Sequence, residues 1–87
     1  MDKSNELKTQ LLWKLYKLNA WGKRHVSESN LPKGFPSHLR NLVKDAAEEL
    51  KRKGFLAVHA THHEAQWYLN WGRKEEIEEL IKEFLAK

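Results

Sequence analysis

Apolar positions along this chain follow two different periods, and the places where the period changes mark out its elements. Leu7, Leu11, Leu15 and Leu18 recur at the 4-4-3 spacing of one helical stripe, with Ser4 or Asn5 placed to cap it, which predicts a first helix over 5–20. Trp13 falls almost opposite that stripe, and Leu12 and Tyr16 fall on its flank, so this helix offers apolar surface on two sides. Gly22 ends the helix, and Arg24-His25-Val26 leaves room only for a short strand over 24–26. A brief second helix over 27–33 is broken by Pro32. The turn Lys33-Gly34-Phe35-Pro36-Ser37 follows, and Pro36 opens a third helix over 36–53 with Leu39, Val43, Ala46 and Leu50 as its buried stripe. Lys51, Arg52 and Lys53 suit the negative end of that helix dipole, and Gly54 supplies its stop.

From Phe55 the period becomes two. Leu56, Val58 and Ala60 share one face of a first strand, while Trp67, Leu69 and Trp71 share one face of a second, with Thr61-His62-His63-Glu64 as the turn between them. This predicts a hairpin over 55–71 with Trp67 and Trp71 in the core and Gln66, Tyr68 and Asn70 on the other face. Ile77, Leu80, Ile81 and Phe84 return to helical spacing and predict a last helix over 73–86 with a glutamate-rich outer face. An isolated hairpin is marginal in water, so this one must pack on the helices or pair with the strand near Val26. The expected fold class is α+β, mostly helical, as one domain over 1–87 with a two- or three-stranded antiparallel sheet.

Composition narrows the chemistry. The chain has 87 residues, 40% of them apolar, and no cysteine, which removes disulfides and thiolate zinc sites. No apolar run reaches the roughly 20 residues of a membrane span, and the N-terminus lacks a signal-peptide core, so a cytoplasmic location is expected. The net charge is +4, but it is uneven: residues 1–54 hold 12 Lys and Arg against 6 Asp and Glu, whereas residues 55–87 hold 4 against 6. A basic surplus upstream of the hairpin suits a face that meets a polyanion.

The stretch LPKGFPSHLRNLVKDAAEELKRKGFL resembles a winged helix-turn-helix domain. Gly34 and Pro36-Ser37 open a helix, and Leu50-Lys51-Arg52-Lys53-Gly54-Phe55 lead from it straight into a hairpin; YLNWG is similar to the end of the wing in regulators of this class. The resemblance covers nearly the whole chain, although Pro32 departs from it by truncating the second helix. It implies duplex DNA as partner, the third helix in a major groove and the wing against the backbone. Base contacts are then expected from Ser37, His38, Arg40, Asn41 and Lys44, because Arg suits guanine and Asn suits adenine. Asp45, Glu48 and Glu49 limit the contact to the first two turns of the helix, since phosphates repel them. Lys23, Arg24, Lys33, Arg52, His62 and His63 are the expected phosphate or wing contacts, which add affinity without sequence information. Histidine titrates near neutral pH, so phosphate at the wing tip would favour its charged form.

Other classes are less well supplied. His59, His62, His63 and Glu64 lack the converging ligands of a metal site, and no nucleophile motif, phosphate loop or paired-carboxylate site stands out. Neither enzymatic activity nor a cofactor, metal or small-molecule ligand is expected. Trp13, Leu12 and Phe84 are the expected surface for a homodimer or another protein. The alternatives are a winged helix that binds RNA or a ribonucleoprotein, and a protein-interaction module without nucleic-acid binding.

Overall fold

The computed structural model describes the backbone of residues 3–86 and the side chains of 5–86. The cap expected from Ser4 and the chain ends of the expected domain lie outside the described side chains. Helix α1 spans Lys3–Lys17, so Asn5 lies within it. It ends before Leu18 because Asn19 adopts the left-handed φ of 57°. The Ala20 N–H then reaches the Leu15 carbonyl at 3.1 Å and the Asn19 N–H the Tyr16 carbonyl at 3.0 Å, the paired bonds that close a helix C-terminus. Gly22 lies beyond this stop, and Leu18, expected in the buried stripe, is 47% exposed.

Strand β1 is Val26–Ser27, beginning two residues and ending one residue later than expected. The expected helix over 27–33 is only a 3-10 turn at Glu28–Asn30. Pro32 has no N–H to reach the Glu28 carbonyl, which Leu31 takes at 3.3 Å instead. A second 3-10 turn, Ser37–Leu39, leads into α2 at Arg40–Arg52, so the third helix of the sequence pattern begins with a tighter turn. Val43, Ala46, Ala47 and Leu50 are its buried residues. Its end follows the expected rule: Gly54 has φ 88°, its N–H meets the Lys51 carbonyl, and Phe55 N–H meets the Leu50 carbonyl, each at 3.0 Å.

Strands β2 (Leu56–His59) and β3 (Gln66–Leu69) form the hairpin, which is shorter than 55–71, with Ala60 exposed in the connection. The sheet order is β1-β3-β2, all antiparallel, so Val26 does supply a third strand. Trp67 sits in the centre, paired with Val26 on one side and Val58 on the other, and is 2% exposed. Trp71 does not join it. Asn70 accepts the Gly72 N–H at 3.0 Å and donates to the Gly54 carbonyl at 2.7 Å, so the chain turns into a 3-10 segment and leaves the strand alternation. Trp71 is consequently 63% exposed.

Beyond that turn lie α3 (Lys74–Leu80) and α4 (Lys82–Leu85), separated by Ile81 at φ −105° where a single helix was expected. Ile77 and Ile81 are fully buried, whereas Leu80 at the edge of the stripe is 46% exposed. One apolar cluster unites Leu7, Leu11, Leu12 and Leu15 of α1 with Val43 and Leu50 of α2, Leu56, Trp67 and Leu69 of the sheet, and Ile77 and Ile81. Each fully buried aliphatic side chain contributes about 1.5–3 kcal/mol by leaving water.

Leu12 therefore cannot line a partner surface. It is 1% exposed and belongs to the apolar core cluster. The Trp13 and Phe84 rings stack on each other at 5.5 Å and 11° and are both half-buried, which ties the last helix to α1.

Candidate nucleic-acid interface

The segment from Ser37 through Lys44 presents its polar residues to solvent because Leu39 and Val43 point inward. Ser37, His38, Arg40, Asn41 and Lys44 are all exposed. Asn41 lies near the middle of the outward face, whereas Arg40 and Lys44 lie on the flank that turns toward the wing. There they border a groove of about 330 Å³ with Glu28, Ser29, Pro32 and Glu64. Leu42, 46% exposed, lies among these polar residues and was not anticipated as a surface position. An exposed leucine on such a helix offers an apolar contact of the kind a thymine methyl takes.

Two side chains missed by sequence reasoning hold this region in place. Lys14 on α1 sends its ammonium to the carbonyls of Asn30, Leu31 and Lys33 at 2.6, 2.8 and 2.7 Å. Pro32 leaves the segment without a regular helix end, and a single cation gathers carbonyls that a helix would have paired. Burial, and then the charge of Lys33, pull the Lys14 pKa below the usual lysine value. Nothing in the local pattern distinguishes Lys14 from any other helix lysine.

Glu64 is the second. Its carboxylate accepts the Ser29 N–H at 2.7 Å and the Ser29 hydroxyl at 3.2 Å, tying the loop of the wing to the 3-10 turn. The Ser29 N–H, followed by its hydroxyl and the nearby His63, hold the Glu64 pKa below the usual carboxylate range. The wing tip is ordered by the Thr61 hydroxyl, which donates to the Glu64 carbonyl and accepts the N–H groups of His63 and Glu64 at 3.3 and 3.2 Å. His62 and His63 stand exposed at that tip. Among the described residues, no three His, Cys, Asp or Glu side chains are grouped to hold a metal ion.

Charge pairing separates the cations into two sets. Lys8, Lys51, Lys53, Arg73, Lys74 and Lys82 are each ion-paired with a glutamate. Among the described residues, Lys17, Lys23, Arg24, Lys33, Arg40, Lys44 and Arg52 have no such partner, and Lys14 bonds carbonyls instead.

The unpaired cations do not form one surface. Arg40 and Lys44 share the groove where α2 begins, whereas Lys33 lines a separate hollow with Trp13, Lys14 and Lys17 of α1. Arg52 is 12 residues beyond Arg40, a helical distance of roughly 18 Å at ~1.5 Å per residue. Lys23 and Arg24 are also remote. The register Ser27↔Gln66 and Val26↔Trp67 makes the chain before β1 run alongside the far end of β3, and the Ala20 carbonyl accepts the Leu69 N–H at 2.7 Å. The four residues of β3, roughly 13 Å at ~3.3 Å each, separate that end from the wing tip. On the other sheet face Tyr68 is half-buried near Gly22, and Gln66 bonds the His25 ring at 2.9 Å.

Helix, short strand, 3-10 turn, α2, hairpin and closing helices, with the hairpin beside the start of α2, define the class: the fold is a winged helix. SSV1 F-93, a solved crystal structure, is similar to it with a TM-score of 0.66 at 18% sequence identity, over 92% of this chain and 87% of that one. No family model and no curated protein matches the chain. No helix among the described residues is long and apolar enough to cross a membrane.

Proposed function

We propose that this chain is a DNA-binding winged-helix protein that regulates transcription, with no catalytic role. The first two turns of α2 enter a major groove, where Arg40, Asn41 and Lys44 meet base edges and Ser37 and His38 meet the groove wall. Lys33 and the histidines of the wing tip contact the backbone on either side. The observation that carries this reading is the exposure of Arg40 and Lys44, neither of them ion-paired, beside Ser37 and Asn41 where α2 begins, while Lys51 and Lys53 near its end are paired with glutamates. Asp45 and Glu48 on the following turn keep the remainder of the helix out of the groove, since phosphates repel them.

Fluorescence anisotropy of labelled duplex DNA at two salt concentrations tests the reading, with the double variant Lys33→Glu, Arg40→Glu as control. Binding that weakens steeply with salt and is lost in the variant is expected, because counterion release dominates such contacts. No binding at low salt would sink the proposal, and stronger competition by structured RNA than by duplex DNA would redirect it to RNA.

A further inference from the structure

Two tryptophans that the proposed duplex contact leaves unused form a corner at the opposite end of the sheet. Trp21 and Trp71 meet edge to face, with ring centroids 5.1 Å apart and planes at 82°. Trp71 is 63% exposed, more than any other large apolar side chain among the described residues. The Lys74 ammonium lies 5.5 Å from its ring centre. Asn19, held in its left-handed conformation by the end of α1, joins Lys23 and Arg24 in completing a shallow hollow of about 440 Å³. Among the described residues, no carboxylate lines that hollow.

An open indole beside two unneutralised cations selects a ligand that is flat and apolar at one end and anionic at the other. A nucleotide has both parts: its base stacks on an aromatic ring, and its phosphate pairs with Lys and Arg. Base pairs within a duplex fit poorly, because their faces are covered by their neighbours. A second copy of the chain also fits poorly. A two-fold contact centred on this corner would set Lys23 and Arg24 against their own counterparts, with no carboxylate of the described residues in the hollow to offset them.

We infer that the Trp21–Trp71 corner binds an unpaired nucleotide, with its base on Trp71 and its phosphate at Lys23 and Arg24. The same chemistry is offered by a free mononucleotide and by a single strand of DNA or RNA. The inference does not rest on duplex binding by α2, because the two sites lie at opposite ends of β3.

The test uses the full chain and three probes: a labelled single-stranded oligonucleotide and a labelled duplex, both read by anisotropy, and adenosine monophosphate, read by tryptophan quenching. The variants are Trp71→Ala, the pair Lys23→Glu with Arg24→Glu, and Arg40→Glu, each checked for folding by circular dichroism. Trp71→Ala should weaken single-strand binding by about 5- to 150-fold, the range that loss of one stacked base produces. The Lys23 and Arg24 pair should weaken it too and flatten its salt dependence, with duplex affinity unchanged in both. Arg40→Glu should weaken duplex binding alone. Quenching by the mononucleotide that disappears in Trp71→Ala assigns the free nucleotide as a sufficient ligand; its absence, with strand binding still dependent on Trp71, assigns the strand. The inference is overturned if the wild-type chain binds neither probe nucleotide, if Trp71→Ala leaves strand affinity unchanged, or if it lowers strand and duplex affinity in parallel. Self-association that Trp71→Ala abolishes, without nucleotide binding, would overturn it in favour of a second copy.

Discussion

The Glu64 carboxylate holds both the backbone N–H and the hydroxyl of Ser29, at 2.7 and 3.2 Å, across 35 positions of sequence. This pair fixes the angle between the wing and the 3-10 turn, and it borders the groove that Arg40 and Lys44 enter. The wing position thus depends on a carboxylate remaining ionised.

The sign of the pH dependence follows. The folded-state pKa of Glu64 is depressed, first by the Ser29 N–H. Its contribution is therefore present above the ordinary glutamate value of about 4.3, and it fades as pH falls through the lower folded value. Thermal unfolding of wild type and Glu64→Gln from neutral to acidic pH should show a higher Tm for wild type at pH 7 and convergence of the two at the acidic end. A constant gap across the whole range would remove Glu64 as the titrating group.

Lys14→Met keeps the length of the side chain but leaves the carbonyls of Asn30, Leu31 and Lys33 without their shared cation. Bonds to a charged donor are worth about 1.5–3 kcal/mol, and a loss of that order is expected in urea unfolding. Amide exchange should quicken most in residues 30–35. If exchange rises evenly over the chain, Lys14 has no special hold on this turn.

Leu12→Ala should cost about 2–5 kcal/mol, the range for a truncated core leucine. Its side chain is 1% exposed within the core cluster, so the loss is one of packing. Sedimentation of the variant and of wild type, at a concentration where both are folded, should give the same mass. A change of mass with little loss of stability would restore Leu12 to a partner surface.

Arg40→Ala and Asn41→Ala should alter which duplex sequences are preferred, by about 1–3 kcal/mol at the affected base pair. Lys33→Ala should weaken every sequence alike and lower the salt slope by about one. Lys23→Ala should do neither, because the register of β1 on β3 carries it away from the wing. Selection of binding sites from a random duplex library with each variant distinguishes these outcomes.

Much of the fold is readable from residue order because the relevant forces are local. The leucine stripe of α1, the Leu39-Val43-Ala46-Leu50 stripe and the alternation in Leu56–Val58 each reflect a backbone period that a few residues define. Gly54 stops α2 because a left-handed φ of 88° strains residues that carry a Cβ. The exposed set from Ser37 to Lys44 was legible for the same reason: once one face of a helix is apolar, the other face is fixed.

Tertiary structure decided what depends on partners distant in sequence. Leu12 and Trp13 both lie off the leucine stripe of α1, yet only the packing of the other elements takes Leu12 into the core, at 1% exposure. Trp71 continues the alternation of Trp67 and Leu69, but the bond from Asn70 to the Gly54 carbonyl bends the chain outward before it. Lys14 resembles the other lysines of α1 until the segment around Pro32 is brought onto it. Lys23, Arg24 and Lys33 read as one basic group, and the antiparallel register of β1 on β3 sends the first two to the opposite end of the sheet. Periodicity fixes which way a side chain points along its own element; only the packing of elements fixes what it meets there.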